Sequence, residues 1–444
     1  MLEEALKEFF VSTPKSRQLY ERALRLMPGG ISHNIRTWSL PSVGAYPFYV
    51  KKAKGCHIWD VDDNKYVDYW MGHMAMILGH NPKPVVTALQ DQLTITGGTH
   101  WGTVNEKQLE LAELIKDMVP TIDMLRFCNT GSEATMYATR LARGYTKKRI
   151  LVKEFGGWHG YNDVLNWYVN EPQEDENESL GQIHELCDYV KAVPFGDIDK
   201  TIEAIRRNKN DLAAMILDIK MHLIKEGDCP KVAKYIKAVK EELNKYGALL
   251  IIDEIITGFR LAQGGVQEYF GVNADLVTYG KILGGGLPIG CVGGREDIMC
   301  LADPTEHQAG LKKKSEIVWI GGGTFSANPV TMTAGVETLK ILRRKKTIYD
   351  ELEIVGRRLR SKLNKILKET GISIDVYGIQ SAFMPDLTRL NQKSILEWNI
   401  RLFNKGLFGR FPRGYISSAH TRDDIEKYIT AVDEIKNEMK TKLT

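Results

Sequence analysis

An aspartate and a lysine, each placed directly after an apolar run, are the residues of this sequence best suited to chemistry. Asp253 follows the run 248–252 (ALLII), and Lys281 follows the run 276–280 (LVTYG). Unbroken apolar runs of this length are typical of strands buried on both faces of a parallel sheet. Ligands of such sheets bind at the carboxyl ends of the strands, where both residues would lie. A lysine there can form a Schiff base with an aldehyde cofactor, while a carboxylate holds a protonated ring nitrogen of that cofactor.

The turn after Lys281 is rich in glycine and invites comparison with a phosphate-binding P-loop. That motif requires a glycine five positions before Gly280, where this chain has Asp275, and a serine or threonine after the lysine, where it has Ile282. The P-loop interpretation therefore fails. An amine at a buried strand end would have its pKa lowered by desolvation, which suits Schiff-base chemistry at neutral pH.

A second candidate site is a short turn that could bind an anion. Gly131 and Ser132 lie between a predicted strand ending near Cys128 and a helix with small apolar residues on one face. Free backbone N–H groups and the helix dipole at such a position suit a phosphate group. The alternative is that Ser132 only caps the helix.

Three further positions carry possible ligand contacts. Trp158 and His159 follow a predicted strand that ends at Phe155, and an aromatic side chain there could stack on a planar cofactor. The alternative for Trp158 is a partly buried core residue, and the alternative for Asp253 is a helix or turn cap. Thr324 lies in the segment 322–329 (GGTFSANP), which could equally be a plain loop before a helix.

Composition narrows the function classes. The chain has 444 residues, 43% of them hydrophobic and 26% charged, which is ordinary for a globular protein of two or three domains. The net charge of +4 gives no reason to expect nucleic acid or a membrane surface as partner. No run of about 18 apolar residues occurs, and the N-terminus lacks a signal-peptide pattern. The six cysteines form no Cys-x-x-Cys pair and several lie in apolar runs, so we expect buried free thiols and a cytoplasmic location.

Alternating helices and apolar strands begin at about residue 82 and predict an α/β layer with a mostly parallel sheet. The predicted strands are 124–129, 149–155, 213–219, 248–253, 276–280 and 291–293. After residue 329 helices dominate, which indicates a smaller α+β lobe shared with the N-terminal strands. The acidic segment 170–179 (NEPQEDENES) carries no periodic signal and predicts a surface loop, with an active-site lid as the alternative.

The order and spacing of these motifs resemble those of one enzyme family. Gly131-Ser132, Trp158-His159, Asp253, Lys281 and Thr324 occur in this order in the class III aminotransferases, which are pyridoxal-phosphate (PLP) enzymes of fold type I. Within the class, the resemblance is strongest to the glutamate-1-semialdehyde 2,1-aminomutase branch and its relatives. It extends from about Ser16 to the C-terminus.

The resemblance implies a fold and a domain organisation. It predicts an α/β protein whose large domain has a mostly parallel seven-stranded sheet, accompanied by a smaller α+β domain. Residues 71–328 would form the large PLP-binding domain, residues 329–444 the small domain, and residues 1–70 would contribute to the small domain. A homodimer with shared active sites would follow.

The resemblance also assigns roles at the cofactor. Lys281 would form the Schiff base and shuttle a proton, and Asp253 would pair with the pyridine nitrogen. The remaining cofactor-binding residues would be Trp158 on the ring, His159 in support of that contact, Gly131 and Ser132 at the phosphate, and Thr324 at the phosphate from the second subunit. No metal is expected.

Arg36 would bind the substrate carboxylate, for which a bidentate guanidinium is well suited, with a plain surface arginine as the alternative. The chain departs from the aminomutase branch at residues 33–34, 72–74, 218–223 and 411–413, so the cofactor half of the site is kept and the substrate half is changed. We therefore predict an aminotransferase that moves an amino group between an amino acid and a keto or aldehyde acceptor. The alternative is an intramolecular isomerase, either the aminomutase or an amino-acid racemase.

Overall fold

The chain divides into two compact units in the computed structural model, which describes residues 2–169, 179–368, 374–388, 390–409 and 413–439. The first, here called the sheet unit, comprises Pro84–Lys220 and Gly227–Lys346. The second, here called the mixed unit, comprises Met1–Lys83, Met221–Glu226 and Thr347–Thr444. The domain boundaries predicted near residues 70 and 328 stay a prediction. Most of the predicted loop or lid, residues 170–178, lies outside the described residues, as do residues 411–412.

The strands of both units are short and match the apolar runs of the sequence. In chain order they are β1 (Val50–Lys54), β2 (His57–Asp60), β3 (Lys65–Asp68), β4 (Met124–Cys128), β5 (Ile150–Glu154), β6 (Val190–Val193), β7 (Leu212–Asp218), β8 (Leu249–Asp253), β9 (Leu276–Gly280), β10 (Gly290–Gly294), β11 (Val376–Tyr377), β12 (Ala382–Pro385), β13 (Leu407–Phe408) and β14 (Gly414–Tyr415).

The α-helices alternate with the strands in the middle of the chain and dominate its C-terminal part. They are α1 (Leu2–Ser12), α2 (Pro14–Ala23), α3 (Met71–Met74), α4 (Lys83–Asp91), α5 (Glu106–Met118), α6 (Gly131–Thr146), α7 (Ile198–Asn208), α8 (Cys229–Lys245), α9 (Gly265–Phe270), α10 (Glu296–Met299), α11 (Thr305–Gln308), α12 (Pro329–Arg344), α13 (Thr347–Lys368), α14 (Gln392–Asn404) and α15 (Arg422–Glu438).

A seven-stranded sheet forms the centre of the sheet unit, with the strand order β4-β10-β9-β8-β7-β5-β6. Only β10 runs antiparallel to its neighbours, so the predicted mostly parallel sheet is confirmed. Strands β7, β8 and β9 are buried along their whole length, as their unbroken apolar runs predicted.

Helix α6 packs on this sheet through a stripe of small side chains at helical spacing. The stripe consists of Ala134, Ala138, Leu141 and Ala142, all fully buried against Leu151, Ala214, Ile216 and Ile251 of the strands. Small residues on the helix allow its axis to approach the sheet closely, which fixes the position of the α6 N-terminus beside the strand ends.

The mixed unit contains two small sheets covered by helices, as an α+β fold requires. Their orders are β1-β2-β3-β13 and β11-β12-β14. One core of this unit joins the N-terminal helix to helix α14 through Leu2, Phe9, Tyr66, Ile400 and Phe403. The N-terminal strands and the C-terminal helices therefore fold together.

Two expectations from composition concern thiols and membranes. All six cysteines are free, as predicted. The expected burial is confirmed for Cys56, Cys128 and Cys291 and is wrong for Cys300, which is exposed. Among the described residues, no helix has both the length and the apolar character that crossing a membrane requires.

Candidate active site

Asp253 and Lys281 lie at the same edge of the seven-stranded sheet. Asp253 is the last residue of β8, and Lys281 directly follows the neighbouring parallel strand β9. The register pairs Asp253 with Thr278, three residues before the lysine. Desolvation lowers the pKa of Lys281, while the carboxylates of Asp253 and Asp218 favour its charged form and oppose that change. The structure thus brings together the two residues that the sequence singled out.

Hydrogen bonds hold the Asp253 carboxylate from three sides. The imidazole Nδ1 of His159 lies 2.8 Å from one carboxylate oxygen. The other oxygen accepts from the Thr278 hydroxyl at 3.0 Å and from the backbone N–H of Ile255 at 3.1 Å. Asp253 therefore does cap a turn, as the alternative proposed, but only the bond from the Ile255 backbone N–H serves that role. The other two bonds come from side chains. The side chain is buried and its orientation is fixed.

Two further carboxylates end neighbouring strands of the sheet. Glu154 is the last residue of β5, and Asp218 is the last residue of β7 and pairs in register with Asp253. The backbone N–H of Asp218 donates to the Glu154 carboxyl group at 2.7 Å. Burial raises the pKa of both carboxyl groups. Sequence reasoning did not include either residue in the site, although Asp218 directly follows an apolar run as Asp253 does.

A turn at the start of α6 has the features of an anion site. Thr130 caps the helix and forms a capping box with Glu133, so the alternative role of Ser132 as the cap is wrong. Gly131 and Ser132 occupy the first two helical positions, whose N–H groups point away from the helix without an intrahelical acceptor. The Ser132 hydroxyl accepts the backbone N–H of Tyr161 at 3.2 Å.

Trp158 and His159 follow β5 and differ sharply in burial. His159 is buried, whereas 45% of the Trp158 surface is exposed, so the interpretation of Trp158 as a core residue is wrong. The indole contacts the ring of Tyr161 edge to face, with ring centres 4.9 Å apart. The exposed part of the indole is available to a planar ligand.

Lys153 fixes the segment that carries these two residues. Its buried ammonium group donates to the carbonyl oxygens of Gly157 at 2.8 Å, Leu165 at 2.9 Å and Trp167 at 2.9 Å. Gly157 directly precedes Trp158, so one cation holds the beginning and the end of the loop. Nothing in the apolar pattern of β5 indicated this role.

Thr324 lies in a loop of the sheet unit beside a surface cleft of about 560 Å³. The same cleft is lined by Val104, Leu109 and Arg126. The neighbouring Gly323 approaches the turn before α6 so closely that a β-carbon there would come within 2.3 Å of the Asn129 amide. Thr324 is therefore near the anion turn of its own chain, on an open part of the surface.

Arg36 belongs to the mixed unit and is exposed on a short 3-10 helix, Asn34–Thr37. In the same unit, the rings of His33 and His73 lie 5.0 Å apart. Met71, His73 and Met74 all have left-handed backbone angles, with φ of 47°, 56° and 69°. Strained backbone of this kind is concentrated in ligand-binding segments.

Comparison with known proteins shows the family of this chain. A family model described as aminotransferase class-III matches residues 40–384. The chain belongs to the class III aminotransferase family. It is 37% identical over 441 residues to the glutamate-1-semialdehyde 2,1-aminomutase of Methanosarcina acetivorans, covering 96% of this chain and 99% of that protein.

Solved structures of two transaminases have the same fold. An omega-transaminase from Sphaerobacter thermophilus is 29% identical, with a TM-score of 0.84 and coverage of 95% of this chain and 97% of the other. A β-phenylalanine aminotransferase from Variovorax paradoxus is 26% identical, with a TM-score of 0.84 and coverage of 99% and 97%. The predicted fold type I architecture is confirmed, and the predicted cofactor, PLP, is that of the class III family.

The sheet unit of this class III protein has candidate groups for four parts of PLP. The N-terminus of α6 suits the phosphate, and the Asp253 carboxylate suits a protonated pyridine nitrogen. Lys281 supplies an amine for the aldehyde, and Trp158 supplies an exposed aromatic face. Gly160 adds a steric observation, because a β-carbon there would fill the space next to the Ser132 hydroxyl at 2.2 Å.

Proposed function

We propose that this enzyme is a PLP-dependent isomerase that moves an amino group within one substrate molecule, as a glutamate-1-semialdehyde 2,1-aminomutase. The observation that carries this proposal is the similarity along nearly the whole chain, at 35 to 37% identity, to eight curated relatives that bear this name. The position of Lys281 at the same sheet edge as the buried Asp253 supports amino-group chemistry in general. The proposal includes a small-molecule amino-acid substrate and a cytoplasmic location.

Lys281 would act as nucleophile and proton carrier. Bound PLP supplies an electron-withdrawing ring that stabilises negative charge on the carbon beside the amino group. Because desolvation lowers the pKa of Lys281, a larger fraction of this amine is neutral at physiological pH than for an exposed lysine. A neutral amine at the sheet edge can attack an aldehyde and can later accept and return a proton.

Asp253 and its neighbours would keep the pyridine nitrogen protonated. The carboxylate accepts bonds from His159 and Thr278, which fix the direction of its remaining lone pairs. Gly131 and Ser132 would hold the phosphate through backbone N–H groups, and Trp158 would cover one face of the ring. These contacts orient the cofactor and exclude water from that face.

A second candidate function is transamination with an external keto or aldehyde acceptor. Support comes from the similarity of this chain to an omega-transaminase at 29% identity and to a β-phenylalanine aminotransferase at 26% identity. In addition, this chain has His33 and His73 at positions where the aminomutase branch has other residues, which favours a different substrate. An amino-acid racemase is the third possibility for the same cofactor site.

One assay separates the three activities. Purified enzyme, loaded with PLP, is given glutamate 1-semialdehyde without any keto acid, and product is measured over many turnovers. An aminomutase forms 5-amino-4-oxopentanoate catalytically, whereas a transaminase stops after one turnover and resumes when a keto acid is added. For the racemase, one enantiomer of an amino acid is given as the substrate instead. Formation of the other enantiomer, with neither the aminomutase product nor a keto acid, would indicate a racemase.

The Lys281→Ala variant is the control for the cofactor assignment. It should bind PLP without the visible absorption band that the wild-type enzyme gives, because the linking amine is gone. An unchanged band in this variant would refute the role of Lys281 and with it the proposed chemistry.

We further propose a homodimer in which Thr324 completes the phosphate site of the partner subunit. Support comes from its exposed position beside the apolar side chains of Val104 and Leu109, which would otherwise face water. Subunit exchange between Lys281→Ala and Thr324→Ala variants tests this idea, since one site of each mixed dimer regains both residues. A shared site predicts more activity in the mixture than in the two variants measured separately, and no gain would refute it.

A further inference from the structure

Two buried polar atoms on neighbouring side chains of the sheet unit have no hydrogen-bond partner among the residues that the structure describes. They are Nε2 of His159 and Oε2 of Glu154. Nε2 lies 3.9 Å from the other carboxyl oxygen of Glu154, and both side chains are fully buried. An unpaired buried polar atom is costly, so a rotation of the Glu154 carboxyl group that brings Oε2 to Nε2 would satisfy both atoms.

The bonds on either side determine which atom donates. Nδ1 of His159 lies 2.8 Å from the Asp253 carboxylate, which can only accept, so Nδ1 carries a hydrogen. In a neutral imidazole, Nε2 is then an acceptor and needs a donor. On Glu154, Oε1 already accepts the backbone N–H of Asp218 at 2.7 Å, so Oε2 is the atom that can carry a hydrogen.

The surroundings of Glu154 favour the neutral acid. Burial raises the pKa of Glu154, the imidazole of His159 acts in the opposite direction, and Asp218 adds to the increase. A neutral carboxyl group has one O–H donor, which is what Nε2 of His159 lacks. The other titratable or charged groups facing this cluster are Asp218, Asp253, Lys220, Lys281 and Tyr235.

We propose that Glu154, as a neutral acid, donates a hydrogen bond from Oε2 to Nε2 of His159 and so positions the imidazole that holds Asp253. The negative charge of this chain of three residues is then concentrated on Asp253, at the end that meets the ligand. The link to catalysis rests on the proposed function, in which Asp253 pairs with the PLP ring nitrogen. The hydrogen bond itself needs no cofactor, and Glu154 is a positioning residue.

Two substitutions distinguish a neutral donor from a charged group. Glu154→Gln keeps both bonds, because its amide oxygen can accept from Asp218 and its amide nitrogen can donate to His159. Glu154→Met has a similar volume and can make neither bond. We expect PLP affinity to fall less than about threefold in Glu154→Gln and about tenfold or more in Glu154→Met. The circular dichroism of the bound cofactor should also change in Glu154→Met. If Glu154→Gln is damaged as much as Glu154→Met, a carboxylate is required and the proposal is wrong.

Infrared spectroscopy tests the hydrogen bond without cofactor and does not depend on whether the methionine variant folds. A protonated buried carboxyl group gives a carbonyl band at neutral pH that should disappear in Glu154→Gln and shift in His159→Phe. Glu254→Gln, which removes another fully buried carboxyl group, is the matched control and should leave this band in place. Absence of a band that depends on Glu154 would overturn the proposal. If the band is present in a protein that does not bind PLP, the proposed function fails while the hydrogen bond is supported.

Discussion

The α-carbon of Gly160 lies so close to Ser132 that a β-carbon would come within 2.2 Å of the serine hydroxyl oxygen. Gly160 also has a φ of +81°, a backbone conformation that side chains disfavour. The contact joins the segment that carries Trp158 to the turn that begins α6. It therefore couples the proposed ring contact to the proposed phosphate contact.

Replacement of Gly160 by Ala should weaken PLP binding strongly. The new methyl group must displace Ser132 or the backbone beside it, so we expect PLP affinity to fall about tenfold or more, together with a loss of stability of about 1–3 kcal/mol. Fluorescence titration with PLP and thermal unfolding measure the two effects.

Gly196→Ala is the matched control for this substitution. Gly196 has a nearly identical φ of +82°, but an added β-carbon there would meet no atom within 4 Å. This control therefore measures only the cost of placing an alanine at a positive φ, without a steric contact. Equal PLP affinities of the two variants would contradict the role of the contact between Gly160 and Ser132.

The sequence predicted the elements of the site better than its contacts. The apolar runs before Asp253 and Lys281 located β8 and β9, because strands buried on both faces leave an unambiguous pattern. Strand β6 was not predicted, since its four residues, VKAV, are too short and too mixed to give a pattern.

Contacts between distant segments left no local signal. The bond between His159 and Asp253 joins residues 94 positions apart, and the carbonyl contacts of Lys153 depend on the path of the following loop. Ser132 looked like a helix cap because serine is common there, but the neighbouring Thr130 makes the capping bonds. Only the assembled structure shows that Thr130, two residues earlier, is the helix cap, whereas the Ser132 hydroxyl accepts the backbone N–H of Tyr161.

Lys153 should be essential for the order of the loop that carries Trp158 and His159. In Lys153→Met, three buried carbonyl oxygens lose their shared donor, so we expect a loss of stability of about 3 kcal/mol or more and weaker PLP binding. Chemical denaturation and the quenching of tryptophan fluorescence by PLP measure these changes.

Lys148→Met provides the comparison. Lys148 also donates to two backbone carbonyl groups, of Lys209 and Tyr246, but it is only half-buried and follows α6 rather than the site. A smaller loss of stability and normal PLP quenching are expected for this variant. If both variants lose PLP quenching equally, Lys153 has no specific effect on the site.

Glu254 should make the stability of the protein depend on pH. Its carboxyl group accepts bonds from the Val266 backbone and the Thr257 hydroxyl, yet burial raises its pKa from 4.5 to about 7. Because the pKa is higher in the folded than in the unfolded state, the folded state binds more protons between these values. This contribution to stability is full below pH 4.5 and is lost as the pH rises through 7, at a cost of about 3 kcal/mol.

The Glu254→Gln variant should lack this part of the pH dependence. Its amide has nearly the same shape and cannot titrate, so its free energy of unfolding should fall less than that of the wild type between pH 4.5 and 7. Denaturant unfolding at several pH values provides the measurement. Glu113→Gln, at an exposed position of α5, is the control, and parallel pH profiles for all three proteins would show that Glu254 does not titrate in this range.

Arg36 should affect substrate binding more than turnover if it holds the substrate carboxylate. In Arg36→Lys the charge is kept, but the planar fork that binds both carboxylate oxygens is lost. We expect KM to rise about tenfold, with kcat changed by less than about threefold, because the carboxylate is bound equally in the ground and transition states. Arg25→Lys, another exposed arginine in the N-terminal part of the same unit, should leave both constants unchanged. A fall in kcat with constant KM in the Arg36 variant would instead place this arginine in the chemical step, and unchanged constants would return it to the surface role considered from the sequence.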